Sequence, residues 1–264
     1  MTQPHEDPAS PSVAAPAIAI RGLGKLFDHV VAVNGVSFDV PVGSFFGLVG
    51  PNGAGKTTTL SMVTGLLRPD AGQVWINGVD MWADSLEAKK KLGVLADGVR
   101  LFDRLSGRQL VTYAGLLRGM DRETVAERTD DLLRALDLVD AGEKLVVDYS
   151  AGMTKKIALA TAMIHAPRTL VLDEPFEAVD PVSAANIRSI LNDYVAHGGT
   201  VVVSSHVMDL VQRMCSHVAV MARGNLLAIG TTDEVRQGGS LEDRFVDLVG
   251  GRSNGEGLSW LHTS

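Results

Sequence analysis

The stretch "GPNGAGKT" at residues 50–57 constrains this chain more than any other. It fits G-x-x-x-x-G-K-[ST], follows the strand-like "FFGLV" and leads into the helix-like "KTTTLSMVTGLL". A phosphate-cradling loop requires that strand–loop–helix setting. Gly50, Gly53 and Gly55 let backbone amides curl around a phosphate, and the helix start adds its positive dipole end. Lys56 is placed to reach β and γ phosphates, and Thr57 offers a hydroxyl to Mg²⁺. The whole loop is therefore assigned to a nucleotide: Gly50, Pro51, Asn52, Gly53, Ala54, Gly55, Lys56, Thr57 and Thr58. By itself the motif implies nucleoside triphosphate binding and no more.

The surrounding pattern is α/β. "FFGLVG", "TLVLDE" and "TVVVSSH" are short apolar runs separated by helical stretches, which predicts parallel strands buried on both faces. "AIAIRGL", "GVSFDV" and "GQVWINGVDM" read as an antiparallel layer on the N-terminal side, the last with an Asn77-Gly78 turn. From Ser183 to Val195, Ile187, Ile190, Leu191, Tyr194 and Val195 share one helical face. Between about 98 and 166 strand signals fade, and "RETVAERTDDLLRALDLV" reads as an amphipathic helix within a mostly helical insert. Residues 1–16, with four prolines, read as disordered, 17–250 as the folded domain and 251–264 as a short tail.

The 264 residues suffice for a substantial core. No apolar run approaches the ~18 residues of a membrane span, and there is no signal-peptide pattern, so a cytoplasmic protein is expected. Cys215, the only cysteine, permits no internal disulfide and reads as a small buried hydrophobe. A net charge of -7 gives no electrostatic basis for sequence-independent nucleic-acid binding, and none is expected.

In "TLVLDEP", Asp173 and Glu174 emerge at the C-terminal end of a parallel strand, where open α/β sheets bind ligands. In that position Asp173 would hold Mg²⁺ and Glu174 would polarise the attacking water. Adjacent acids at a strand end are otherwise simply solvated. "YSAGMTKK" at 149–156 sets a serine and a glycine before the apolar run "IALATAMI", either as a helix cap by Ser150 or as an anion-binding terminus.

Taken together, "GPNGAGKT", "YSAGM", "TLVLDEP" and "VSSH" resemble, in order, the motifs of the ATP-binding subunit of ABC transporters, over residues 18–250. The resemblance implies a P-loop fold with a parallel core sheet, an antiparallel β layer and a helical subdomain. It implies ATP and Mg²⁺ as ligands, with hydrolysis to ADP and phosphate. Two subunits, identical or not, would pair head to tail, so that Ser150, Ala151 and Gly152 touch the γ-phosphate held by the other copy. Separate transmembrane subunits would be the partners, at the cytoplasmic face of the membrane.

Residue by residue, the resemblance assigns catalysis to Glu174, His206 and Lys56, and the metal to Thr57, Asp173 and Asp97. Phe27 takes the adenine-stacking position, with a core phenylalanine as the alternative. Asp180 in "EAVDP" matches the aspartate linking the two sites. Asp97 departs from the family's glutamine or glutamate, and Ala151 from the first signature glycine; slow but real hydrolysis is expected. The remaining histidines read as surface or satisfied residues. Leu101 and Phe102 line either the groove for a membrane-subunit helix or ordinary core. The signature, "SSHVMDL" and "SLEDRFVDLVGG" look most like the exporter-type, ABC-2-like branch. The alternatives are a non-transport relative and a nucleotide-gated binding module with little turnover.

Overall fold

A computed structural model describes residues 15–98 and 101–250. The expectations for 1–14 and 251–264 concern residues outside those described. The chain runs β1 (Ile18–Phe27), β2 (Val30–Val40), β3 (Phe45–Val49), α1 (Lys56–Val63), β4 (Ala71–Ile76), β5 (Val79–Asp80), α2 (Ser85–Lys90) and β6 (Leu92–Leu95). It continues through α3 (Gly107–Leu117), α4 (Arg122–Ala135), α5 (Ala151–Met163), β7 (Thr169–Leu172) and α6 (Pro181–Ala196). Then come β8 (Thr200–Ser205), α7 (Met208–Met214), β9 (His217–Ala222), β10 (Asn225–Thr231), α8 (Thr232–Arg236) and α9 (Leu241–Leu248).

Two sheets form the frame. The antiparallel sheet has the order β2-β1-β4-β5, and the larger one β10-β9-β3-β8-β7-β6, parallel throughout except for the β9/β10 edge. Alternation along β3 shows how the two pack. Phe46 and Leu48 face a core shared with Ile18, Ile20, Val74 and Ile76 of the antiparallel sheet, and the Phe46 ring stacks on Phe38 at 5.5 Å. Phe45 and Val49 face the other way, onto a core roofed by α5 and α6 through Ile157, Leu159, Ile187 and Leu191. Every residue of β3, β7 and β8 is buried, as expected of strands covered on both faces.

Local chemistry sets the helix ends. Asp180 caps α6, accepting from the Val182 and Ser183 amides at 3.0 Å each, and Pro181 occupies the first turn, so the helix starts two residues before the amphipathic stretch. Ser106 and Gln109 form a capping box on α3. Helices α3, α4 and α5 occupy the stretch where strand signals fade. Cys215 is buried against β3: a β-carbon on Gly47 would meet Val211 Cγ1 at 2.3 Å and the Cys215 sulfur at 3.1 Å, and burial pushes the thiol pKa up. Three strands, β6, β9 and β10, were not predicted from the sequence. Strand order is what builds the site, since β3, β8 and β7 are neighbours and their C-terminal ends bring three distant loops together.

Candidate functional site

The loop after β3 turns into α1 through Gly55, the N-cap, at φ 101 and with no side-chain cap. A β-carbon there would lie 2.5 Å from the Ala32 carbonyl oxygen, so both backbone angle and space demand glycine. The first helical amides remain directed at an incoming anion. Lys56, buried at the same turn, donates to the Gly50 oxygen at 2.8 Å and the Pro51 oxygen at 3.2 Å.

Asp173 and Glu174 follow β7. The buried Asp173 accepts a hydrogen bond from the Ser204 hydroxyl of β8, while the same hydroxyl oxygen accepts from the Glu174 amide at 2.9 Å. Glu174 takes a left-handed backbone, φ 45. Its Oε1 sits 3.1 Å from His206 Nδ1 and 3.7 Å from Lys56 Nζ. One carboxylate oxygen thus faces both the histidine and the P-loop lysine.

Lys56, Glu174 and His206 open onto a cavity of 650 Å³, lined also by Phe27, Asn52 through Thr58 and Asp97, whereas the buried Asp173 is not among its lining residues. That volume suits a nucleotide-sized ligand. Phe27 is 45% exposed, so it is not a core residue, and the Lys25 ammonium lies 5.6 Å from its ring centroid. Gly50 and Pro51 lie just behind the cavity as acceptors for Lys56. The donor set also suits Mg²⁺. Among the described residues no three His, Cys, Asp or Glu side chains cluster to hold an ion. Magnesium needs no such cage, since it takes most ligands from water and phosphates and one or two from side-chain oxygens; Thr57 supplies such an oxygen at the cavity wall.

Ser150, Ala151, Gly152 and Asp180 are not among the residues lining this cavity. Ser150 caps α5, accepting from the Met153 amide at 3.3 Å. Gly152 lies beside Asp180, whose Oδ2 would be 3.3 Å from a β-carbon on Gly152. Hydrogen bonds from the Ser183 backbone and hydroxyl hold the Asp180 carboxyl below the ordinary carboxylate range. Asp97 stands 3.8 Å from Lys155 Nζ. Ser204 and Lys155 escape sequence reasoning. A hydroxyl inside the apolar run "TVVVSS" is the only local signal for Ser204. Lys155 has none.

On the helical side, Leu101 packs against the core. Phe102 is 62% exposed and meets Tyr113 edge-on at 5.8 Å. With Leu105 and Leu116 they line an apolar groove. His165 Nε2 pairs with the Leu92 carbonyl at 2.9 Å. Burial, and then the charge of Arg118, lower its pKa to about 4.

Fold and cavity together define a P-loop nucleotide-binding protein. The ABC transporter family matches residues 33–177, a span that includes the P-loop, Asp97, the 149–153 signature and the Asp173-Glu174 pair. The chain belongs to that family, as an ATP-binding subunit. It is 33% identical over 224 residues to the daunorubicin resistance ATP-binding protein DrrA3 of Streptomyces coeruleorubidus, covering 85% of this chain and 71% of that one. It is 35% identical over 215 residues to the Nod factor export ATP-binding protein I of Rhizobium sp. (strain N33), covering 81% and 71%. Among solved structures, an ATP-binding subunit of an ABC transporter superposes with a TM-score of 0.82 at 25% identity, over 88% of this chain and 99% of that one.

Proposed function

We propose that the chain hydrolyses ATP to drive export by separate membrane-spanning subunits, which it meets at the cytoplasmic face. The observation that carries this is the convergence of Lys56, Glu174 and His206 beside the P-loop. Phe27 stacks the adenine, and backbone N–H groups within 52–58 take the phosphates. Glu174 accepts a proton from the attacking water, whose oxygen bonds to the γ-phosphorus as the bond to the β–γ bridging oxygen breaks. His206 Nδ1 holds the carboxylate in direction, and Lys56 balances negative charge on the phosphates. Thr57 and Asp173 would hold Mg²⁺, which would supply positive charge against the phosphates.

Ser150, Ala151 and Gly152 do not line this cavity, which supports a role on the nucleotide of a second copy. Two ATP molecules would then join the subunits head to tail, and hydrolysis would part them. The groove at Phe102, Tyr113 and Leu116 would receive a helix of the membrane subunit. Relatives named for drug resistance and Nod factor export support the direction of transport.

Phosphate release by the complex purified with its membrane subunits tests the hydrolytic part, and it falls to background in Glu174→Gln. Equal turnover in that variant overturns it. ATP-dependent dimers of Glu174→Gln are expected to vanish on adding Ser150→Arg. Dimers indifferent to that change overturn the trans arrangement.

A further inference from the structure

Helix α5 carries a second polar connection, just over one turn beyond Ser150. Lys155 Nζ donates to the backbone carbonyl oxygen of Glu174 at 3.0 Å and lies 3.8 Å from Asp97 Oδ1. The ammonium therefore bridges three segments far apart in sequence: α5, the end of β7 and the loop after β6. Beside it, a cleft of 270 Å³ separates β6 from α5, with Leu95, Leu101, Ala158 and Thr161 among its walls.

The group it grips is the sensitive one. Glu174 has φ 45, a region disfavoured for any residue with a β-carbon. Such a conformation persists where the surroundings over-determine it. Here the Glu174 amide is held by Ser204, and its carbonyl accepts from Lys155 Nζ and, at 3.2 Å, from the Glu177 amide of the turn that follows. With both ends of the residue anchored, its carboxylate is aimed at His206 and Lys56.

We propose that Lys155 is a positioning residue for hydrolysis: it clamps the Glu174 carbonyl and so sets the direction of the carboxylate, while Asp97 holds the ammonium in place. The proposal rests on the hydrolytic reading of Glu174. It gives Asp97, one methylene shorter than glutamate, a task that needs no reach to the metal. It also links the N-terminal turn of α5 to the end of β7, because a load on Ser150 from the opposite copy reaches Glu174 of the same chain through Lys155.

The test uses the full-length protein and its complex with the membrane subunits, comparing wild type, Lys155→Met, Lys155→Arg, Asp97→Asn and Glu174→Gln. Amide hydrogen exchange over residues 174–177 is measured without nucleotide, and kcat and KM for ATP are measured on the complex. In Lys155→Met the amides of Glu174, Phe176 and Glu177 should exchange roughly tenfold faster, and kcat should fall roughly tenfold with KM within about twofold. Arginine, which keeps the donor, should restore most of both, and Asp97→Asn should fall between. Wild-type exchange and kcat in Lys155→Met overturn the proposal. So does exchange that rises uniformly across α5 and β7, which is the mark of a merely structural lysine. If wild type and Glu174→Gln turn over ATP alike, the hydrolytic reading fails and takes the catalytic role with it. Exchange then still reports whether Lys155 clamps the peptide, so the two failures are distinguishable.

Discussion

Replacing Ser204 by alanine should damage this protein more than its conservative size suggests. The hydroxyl is fully buried on β8; it donates to the Asp173 carboxylate and accepts from the Glu174 amide. Alanine leaves almost no cavity, so the cost is polar. Losing a hydrogen bond to a charged carboxylate costs about 1.5–3 kcal/mol, and stranding the Glu174 N–H costs about 1–3 kcal/mol. Because the two share one oxygen, we expect about 3 kcal/mol in all. In a domain of this size that lowers the melting temperature by about 6–12 °C. Ser205→Ala is the internal control: also buried on the same strand, its hydroxyl accepts from the Val207 amide at 3.0 Å, and its loss should cost about 1 kcal/mol. Urea unfolding monitored by circular dichroism measures the pair, and a two-state fit gives the difference. Turnover of the Ser204→Ala complex should fall roughly tenfold with KM within about twofold, because the amide anchor of Glu174 is gone. If Ser204→Ala were no less stable than Ser205→Ala, the bridging role of that oxygen would be refuted.

Two further outcomes test other parts of the structure. Gly55→Ala combines a left-handed backbone with a β-carbon 2.5 Å from the Ala32 oxygen, and should cost about 2–5 kcal/mol as well as weakening ATP binding at least about tenfold in equilibrium dialysis. Gly53→Ala, at φ 77 but with nothing within 4 Å of its β-carbon, should show only the backbone cost of about 1–2 kcal/mol. His165 contributes a limb to the acid stability profile. Its folded pKa of about 4 lies below the ordinary 6.5, so as pH falls the unfolded chain binds the proton first. Stability is lost between about pH 6.5 and 4 and levels off below that. The difference between wild-type and His165→Gln unfolding midpoints should change across that window, and a constant difference refutes the assignment.

The sequence by itself determined the elements whose signals are contiguous. The P-loop is one because its glycines, lysine and threonine act through a single turn. The α6 helix is another because its apolar spacing from Ser183 to Val195 lies within one segment, although its start at Asp180-Pro181 came only from the structure. The acids at the end of β7 were legible as a position, but not as a constellation. Glu174 meets His206 from 32 residues away and Lys155 from 19. Both contacts depend on β7, β8 and β3 lying side by side and on α5 crossing the seam above β6. Strands buried on both faces carry no periodicity that reports their neighbours. Tertiary structure alone decided that Ser204 joins the two acids, that Asp97 faces a lysine, and that Ser150 sits apart from its own P-loop. The physical reason is the same in each case: the energy of these contacts comes from groups brought together by strand order, which local sequence does not encode.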